Sequence, residues 1–337
     1  MGLVVTAAFL AWAVRGADLG DVLAGVRQAD ALLIALSAGV ATLTFPLRTL
    51  RWRVLLRAPD GSRYPIGALW NATAIGFMAN NLLPARAGEF ARAWVASRRL
   101  PIRFTTALGS IGVERVFDGL MMLALMALAI ASPSFPRQAA VGGTSLSRIA
   151  TGVAVGFGAA LVVAFLVAIQ PAPSLALLDR VSRAVLPERP AAKLRSLADG
   201  LVEGLAALRS PTRFAAVVGW SAALWLVNAA GFALCFRAFH LSVPAQGALL
   251  LQGLIGFGVA IPAAPGFWGV FEYATRLTLQ FYGVEATLAL AYAFAYHLAG
   301  FFPITFLGLD ALSRAHLHLG DLRGATESTV SPPVPPA

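Results

Sequence analysis

The stretch Asn80–Asp118, NNLLPARAGEFARAWVASRRLPIRFTTALGSIGVERVFD, sets the reading of the whole chain. It lies between apolar segments yet carries Arg86, Glu89, Arg92, Glu114, Arg115 and Asp118. A charged side chain at membrane depth costs at least a few kcal/mol, so such residues face a protein interior or a wet cavity. Pro84 and Gly88 interrupt what would otherwise be a spanning helix. A broken helix at that depth is tolerated only where protein or water satisfies the freed backbone groups. The stretch therefore reads as half of a transport site. A second, related stretch, Gly247 to Arg276, reads as the other half.

Composition supplies the membrane. The 337 residues are 58% apolar and 12% charged, with a mean hydropathy of +0.75. A soluble domain carries about 25% charged residues. Several apolar runs reach or approach the roughly 20 residues needed to cross a bilayer. The net charge of +10 would suit nucleic acid in a soluble protein. Here the Arg residues sit in loops between apolar runs, orientation in the membrane is the simpler explanation, and no nucleic-acid partner is expected. The single cysteine, Cys235, excludes an intramolecular disulfide and a cysteine-based metal site. No metal and no cofactor is expected.

The apolar runs predict an all-α polytopic protein with six full spans: Met1–Val14, Ala31–Leu50, Phe104–Ala131, Ile149–Ile169, Phe214–Phe236 and Val284–Leu312. The first is short for a span, as it would be were the natural start upstream of Met1. After Leu50 come Arg51, Arg53, Arg57 and Arg63, with Arg48 just before; after Leu83 come Arg86, Arg92, Arg98, Arg99 and Arg103. Two adjacent basic loops cannot both be cytoplasmic if a full span separates them. Ile66 to Leu100 is therefore expected to be a re-entrant hairpin that turns near Pro84 to Gly88. Gln246 to Phe281, with Pro262, Pro265 and Gly266 at its centre, is expected to be a second. Residues 1–313 form one transmembrane domain, with repeat halves at 31–131 and 214–312. Leu and Val at helical spacing in 179–213 suggest an amphipathic helix on the inner leaflet or on the protein's own cytoplasmic face. Residues 314–337 are expected to be a disordered cytoplasmic tail, with the N-terminus cytoplasmic too.

The halves share an internal repeat. Gly67-Ala68-Leu69 recurs at Gly247-Ala248-Leu249, and Ile75-Gly76-Phe77 at Ile255-Gly256-Phe257, 180 residues apart in both cases. A Pro-x-x-x-Gly follows each: Pro84 to Gly88 and Pro262 to Gly266. From a cytoplasmic N-terminus the hairpins would enter from opposite sides, making the halves inverted copies. Inverted repeats with broken helices near mid-membrane point to a secondary-transporter site. Half-helix N-termini after Pro84 and Pro265 would offer N–H groups to an anion.

LLPARAGEFARAW, then VERVFDG, then IPAAPGFWGVFE resemble the flippase-like membrane family named for the transmembrane region of lysylphosphatidylglycerol synthase. The resemblance implies a lipid translocator in a bacterial or archaeal cell (inner) membrane. Its substrate would be an anionic or zwitterionic phospholipid, or a polyprenyl-linked or hopanoid-related lipid, and a lipid-biosynthesis enzyme would be its partner. The given sequence ends soon after the last span, so lipid aminoacylation itself is not expected. Ala264 and Pro265 stand where the first repeat has Arg86, so the site should be asymmetric.

Each candidate has two readings. Arg86 could hold a lipid phosphate bidentately or serve as a positive-inside anchor. Glu89 could face substrate, or favour a helix start and pair with Arg92. Glu114, Arg115 and Asp118 lie within about one helical turn and form either a buried ion network or a gate. Glu272 and Arg276 are spaced to pair, and Glu272 is the candidate in the second break for a substrate cation or proton. His297 is either a hydrogen-bonded core residue or a proton-coupling group. Phe267, Trp268 and Phe271 either line an acyl groove or face lipid. No Gly-rich phosphate loop, zinc motif or nucleophile elbow is present, so no catalytic residue is assigned. A membrane transferase, with Glu89 and Glu114 as its acid and base, remains a competing class. A lipid-binding subunit that moves nothing is a third.

Overall fold

The structure, a computed structural model, describes residues 2–58, 60–83, 87–138, 210–259 and 264–322, with scattered positions between 140 and 199. Among these residues the fold is helical apart from a two-residue antiparallel ladder, Ala140–Val141 against Thr144–Ser145. Its helices include α1 (Gly2–Val14), α2 (Leu19–Gln28), α3 (Ala31–Thr42), α4 (Thr44–Leu55), α5 (Ile66–Leu82) and α6 (Ala87–Arg99). They continue with α7 (Phe104–Ala131), α8 (Pro211–Ala238), α9 (Ala245–Gly258), α10 (Val270–Phe281) and α11 (Ala286–Arg314).

Among the described residues three helical units are long and apolar enough to cross a membrane: Ala31–Leu55, Pro211–Ala238 and Ala286–Arg314. The first joins α3 to α4 and is interrupted at Leu43. Pro46 has no N–H to offer the carbonyl of Thr42, so the ladder breaks there. The unit continues past the expected end at Leu50. Arg48 and Arg51 are thus buried helix residues, not loop residues. Between α1 and α3 the chain is helical over Leu19–Gln28. Asp18 caps α2 by accepting from the N–H of Gly20 at 2.7 Å, and Asp30 caps α3 by accepting from Leu32 at 2.9 Å. The expected span 149–169 lies mostly outside the described residues. The expected amphipathic segment 179–213 is described in part, and there Arg183 and Arg195 flank Asp179 at 2.7 and 3.7 Å.

Both interrupted segments fold as helical hairpins with antiparallel arms. In the first, Gly76 on α5 lies against Arg92 on α6, and Asn80 against Gly88. A Cβ on Gly76 would stand 2.7 Å from the Arg92 Cβ and 2.8 Å from the Gly88 carbonyl, so only glycine lets the arms close. At the open end the Tyr64 hydroxyl reaches the Pro101 carbonyl at 3.4 Å. In the second, Gly258 on α9 lies against Val270 and Ala274 on α10, and Gly247 against Tyr282. Of the expected break residues, Pro84 and Pro262 fall outside the described residues, as does Arg86. Pro265 and Gly266 open a single 3-10 turn, Pro265–Phe267, with Gly266 and Gly269 at φ 72 and 82°.

The two hairpins open at opposite ends of α11, which at 29 residues is about 43 Å long. Arg99, at the end of the first, donates to the carbonyl of Ala315, just past the end of α11. The second leads through Gly283 directly into the start of α11. The turn Pro265–Phe267 packs against α5. Each hairpin lies between longer helices, α3–α4 and α7 for the first and α8 and α11 for the second, and the packing crosses between the two sets. The last helix, α11, lies on α5, where Asn81 Nδ2 donates to Thr305 Oγ1 at 3.1 Å. Likewise α7 lies on α9, with Met122 and Met126 against Gly256 and Gly253, and α8 lies on α3 and α4. Residues 315–322, expected to belong to a disordered tail, pack on the helices with Ala315 and Leu322 buried, and the rest of that expected tail lies outside the described residues.

Candidate functional site

A buried ion cluster forms where α4, α6, α7 and α8 meet beside the first hairpin. Arg48, Arg51 and Trp52 are spaced i, i+3, i+4 on α4, and Ser110, Glu114 and Asp118 recur every four residues on α7. Each set shares one helix face. Arg51 Nη1 donates to Asp118 Oδ1 at 2.6 Å and to Ser221 Oγ on α8 at 3.0 Å. Its Nε lies 3.7 Å from Glu114 Oε1. Arg92 reaches across from α6, with Nη1 at 2.5 Å from Glu114 Oε2 and Nη2 at 3.4 Å from Oε1. Arg48 Nη1 and Arg115 Nη1 lie 3.7 and 3.5 Å from Asp118 Oδ2. Trp225 Nε1 on α8 donates to Asp118 Oδ1 at 2.9 Å.

Aromatic rings enclose these charges. The Arg92 guanidinium sits 3.8 Å from the Trp52 ring centroid, and Trp52 Nε1 donates to Ser110 Oγ at 2.9 Å. The Arg48 guanidinium lies 5.0 and 5.3 Å from the rings of Phe77 and Trp225. Arg51 and Glu114 are completely buried, whereas the Arg115 side chain keeps 37% of its surface. Glu114 and Asp118 lie about 15 and 21 Å along α7 from its start. Both thus stand inside the helix and away from its ends. Buried ions persist there only when paired. Here four guanidiniums surround two carboxylates, leaving a net charge of +2.

A second polar centre occupies the matching place beside the second hairpin. Glu272 on α10 stands 180 residues after Arg92 and is also completely buried. Its Oε2 accepts from the Gly269 N–H at 2.6 Å, and its Oε1 lies 2.6 Å from His297 Nδ1 on α11. His297 Nε2 lies 2.9 Å from the Gly266 carbonyl. Trp268 and Phe271 sandwich the imidazole, with ring centroids at 4.3 and 4.4 Å. Both imidazole nitrogens thus face acceptor oxygens. Both contacts become hydrogen bonds only when the Glu272–His297 pair holds one proton more than a carboxylate and a neutral imidazole do. The pair therefore ties the hairpin turn to α11.

The structure brings Arg92, Glu114, Arg115 and Asp118 together, and Glu272 with His297. It separates other expected partners. Arg92 turns to Glu114 and not to Glu89 on its own helix. Arg276 does not pair with Glu272: its Nη1 caps the end of α1, donating to the carbonyls of Ala13 and of Arg15, the latter at 2.8 Å. The half-helix N–H groups expected to await an anion are partly engaged, Gly88 by Asn80 Oδ1 at 2.9 Å and Gly269 by Glu272. Trp268 and Phe271 pack on His297. Sequence reasoning missed Arg48, Arg51, Trp52, Ser221 and Trp225. The spacing of Arg48, Arg51 and Trp52, continuing an apolar helix, was the available signal. Among the described residues no three His, Cys, Asp or Glu side chains gather as a metal site requires.

The family described as the lysylphosphatidylglycerol synthase TM region matches residues 1–308. Among curated proteins, the chain is similar to a protein named glycosyltransferase AglD from Haloferax volcanii, with 36% identity over 155 residues. That match covers 46% of this chain and only 24% of the relative's length. No solved structure matches the chain.

Proposed function

This chain belongs to the lysylphosphatidylglycerol synthase transmembrane family, and from that premise we propose that it moves a lipid between the leaflets of a cell membrane. The observation that carries the proposal is the cluster of Arg48, Arg51, Arg92, Glu114, Arg115 and Asp118, buried well along helices of a strongly apolar chain. A headgroup charge is paired there while its tails stay in the bilayer. Guanidinium groups suit a lipid phosphate, and aromatic rings hold them in place. The hairpins open at opposite ends of α11 and support an inverted-topology repeat with two re-entrant segments and six full spans. The basic residues around the first hairpin's open end, Arg53, Arg57, Arg63, Arg98, Arg99 and Arg103, face the cytoplasm by the positive-inside rule, as do both termini. Alternating access then exposes the cluster to one leaflet at a time. The Glu272–His297 pair supplies a site for a coupled proton.

The relative's name favours a second reading, in which the chain is the membrane part of a lipid-linked glycosyl transferase and holds the lipid without flipping it. One assay separates them. Purified protein is reconstituted with headgroup-labelled phospholipids and a polyprenyl-phosphate analogue, beside Arg92→Gln and Glu272→Gln. Translocation lost in both variants supports the first reading. Folded protein that moves none of these lipids sinks it, and covalent conversion of a lipid in the presence of a sugar donor supports the second.

A further inference from the structure

We propose that the cluster of Arg48, Arg51, Arg92 and Arg115 around Glu114 and Asp118 binds a phosphate monoester dianion, and so prefers a lipid monophosphate to a phosphodiester lipid. The lipid part rests on the translocation reading above; the phosphate part rests on charge and on unpaired donors. Four guanidiniums face two carboxylates, so among the described residues two positive charges have no buried counter-charge. Among the described residues, the ion pairs of Arg48, Arg51, Arg92 and Arg115 all fall within the cluster. Uncompensated charge in an apolar interior is strongly unfavourable, and more so inside a bilayer.

Donors are also left over. Arg51 Nη2, Arg92 Nε and Arg115 Nε are buried atoms without a hydrogen-bond partner among the described residues. Guanidinium N–H groups meet phosphate oxygens in pairs. A monoester carries nearly two negative charges near pH 7, its second pKa being about 6, whereas a diester carries one. The monoester therefore brings the cluster to neutrality, and the diester leaves one charge over. Trp52, Phe77 and Trp225 close the aromatic sides of the cluster, and the half-open Arg115 marks the side of approach.

The test titrates the purified full chain with a polyprenyl monophosphate, the same polyprenol without phosphate, phosphatidylglycerol and inorganic phosphate. Binding is read by thermal shift and by tryptophan fluorescence, since Trp52 and Trp225 touch the cluster. The monophosphate is expected to bind about tenfold or more tighter than phosphatidylglycerol near pH 7, the size of one charge-assisted hydrogen bond. The preference is expected to shrink near pH 5, where the monoester becomes a monoanion. Arg115→Gln, on the exposed edge where folding is least at risk, removes the preference, and Arg115→Lys keeps most of it. Equal affinity for monophosphate and phosphatidylglycerol, or for monophosphate and free polyprenol, overturns the inference and leaves translocation of either lipid untouched. Inorganic phosphate binding as tightly as the lipid monophosphate upholds the dianion site and counts against lipid translocation instead.

Discussion

At the scale of single residues the cluster is asymmetric in cost. Asp118 pairs with Arg51 at 2.6 Å with almost no exposed surface, and removing one member of a buried pair leaves the other uncompensated. Asp118→Asn keeps the shape and raises the local charge from +2 to +3. It is expected to destabilise the protein by about 3–5 kcal/mol, measured by thermal unfolding in detergent. The Asp310–Arg314 pair has a similar distance, 2.9 Å, but both side chains are more than half exposed. Asp310→Asn is expected to cost less than about 0.5 kcal/mol in the same measurement, because water screens that pair. The difference shows why only part of the cluster was legible in the sequence. Glu114 and Asp118 stand alone in an apolar run and draw attention there. Arg48 and Arg51 follow an apolar run, where flanking arginines usually anchor a helix end. Their burial depends on carboxylates more than sixty residues later, which local pattern does not reveal.

At the scale of elements, close approach between helices decides which small residues matter. A Cβ on Gly88 would strike the backbone carbonyl of Gly76 and the Asn80 side chain, so the arms of the first hairpin would have to part. A Cβ on Gly256 would meet the end of the flexible Met122 side chain, which can move aside. Gly88→Ala is therefore expected to cost about 1–3 kcal/mol or more, and Gly256→Ala clearly less, in paired unfolding measurements. A larger loss at Gly256 would contradict this account of the packing. Helix starts give a pH-dependent counterpart. Glu285 caps α11 by accepting from the N–H of Thr287 at 2.8 Å and of Leu288 at 3.0 Å. The Thr287 N–H bond chiefly lowers its pKa from the ordinary 4.5. A lowered folded pKa means that this stabilisation is complete above the unfolded pKa and is lost as pH falls through the folded one. Glu285→Gln should thus narrow its difference from the parent below about pH 4.5, with a cost of about 0.5–1 kcal/mol near neutrality.

At the scale of the molecule, the helical class and the interrupted segments were legible and the span boundaries less so. The Ile-Gly-Phe triplets 180 residues apart each place a glycine at a close helix contact, Gly76 against α6 and Gly256 against Met122 of α7. Hydropathy does not separate a hairpin arm from a span, since both bury apolar side chains. What separates them is where each segment returns. Arms that return to the same face of the molecule need not cross the bilayer. Tyr64 meeting Pro101, and Gly247 meeting Tyr282, put both ends of each hairpin together, and α11 runs between the two open ends. In a Cys235→Ala background, Arg63→Cys and Arg98→Cys are therefore expected to react with an impermeant thiol reagent from one side of the membrane. Ser242→Cys and Gln280→Cys are expected to react from the other. Reaction of positions 63 and 98 from opposite sides would mean that one arm of the first hairpin spans fully. The first and second halves would then no longer be inverted copies, and the cluster, built between an arm and the helices packed on it, could not be exposed to each leaflet in turn by the rocking of two matched halves.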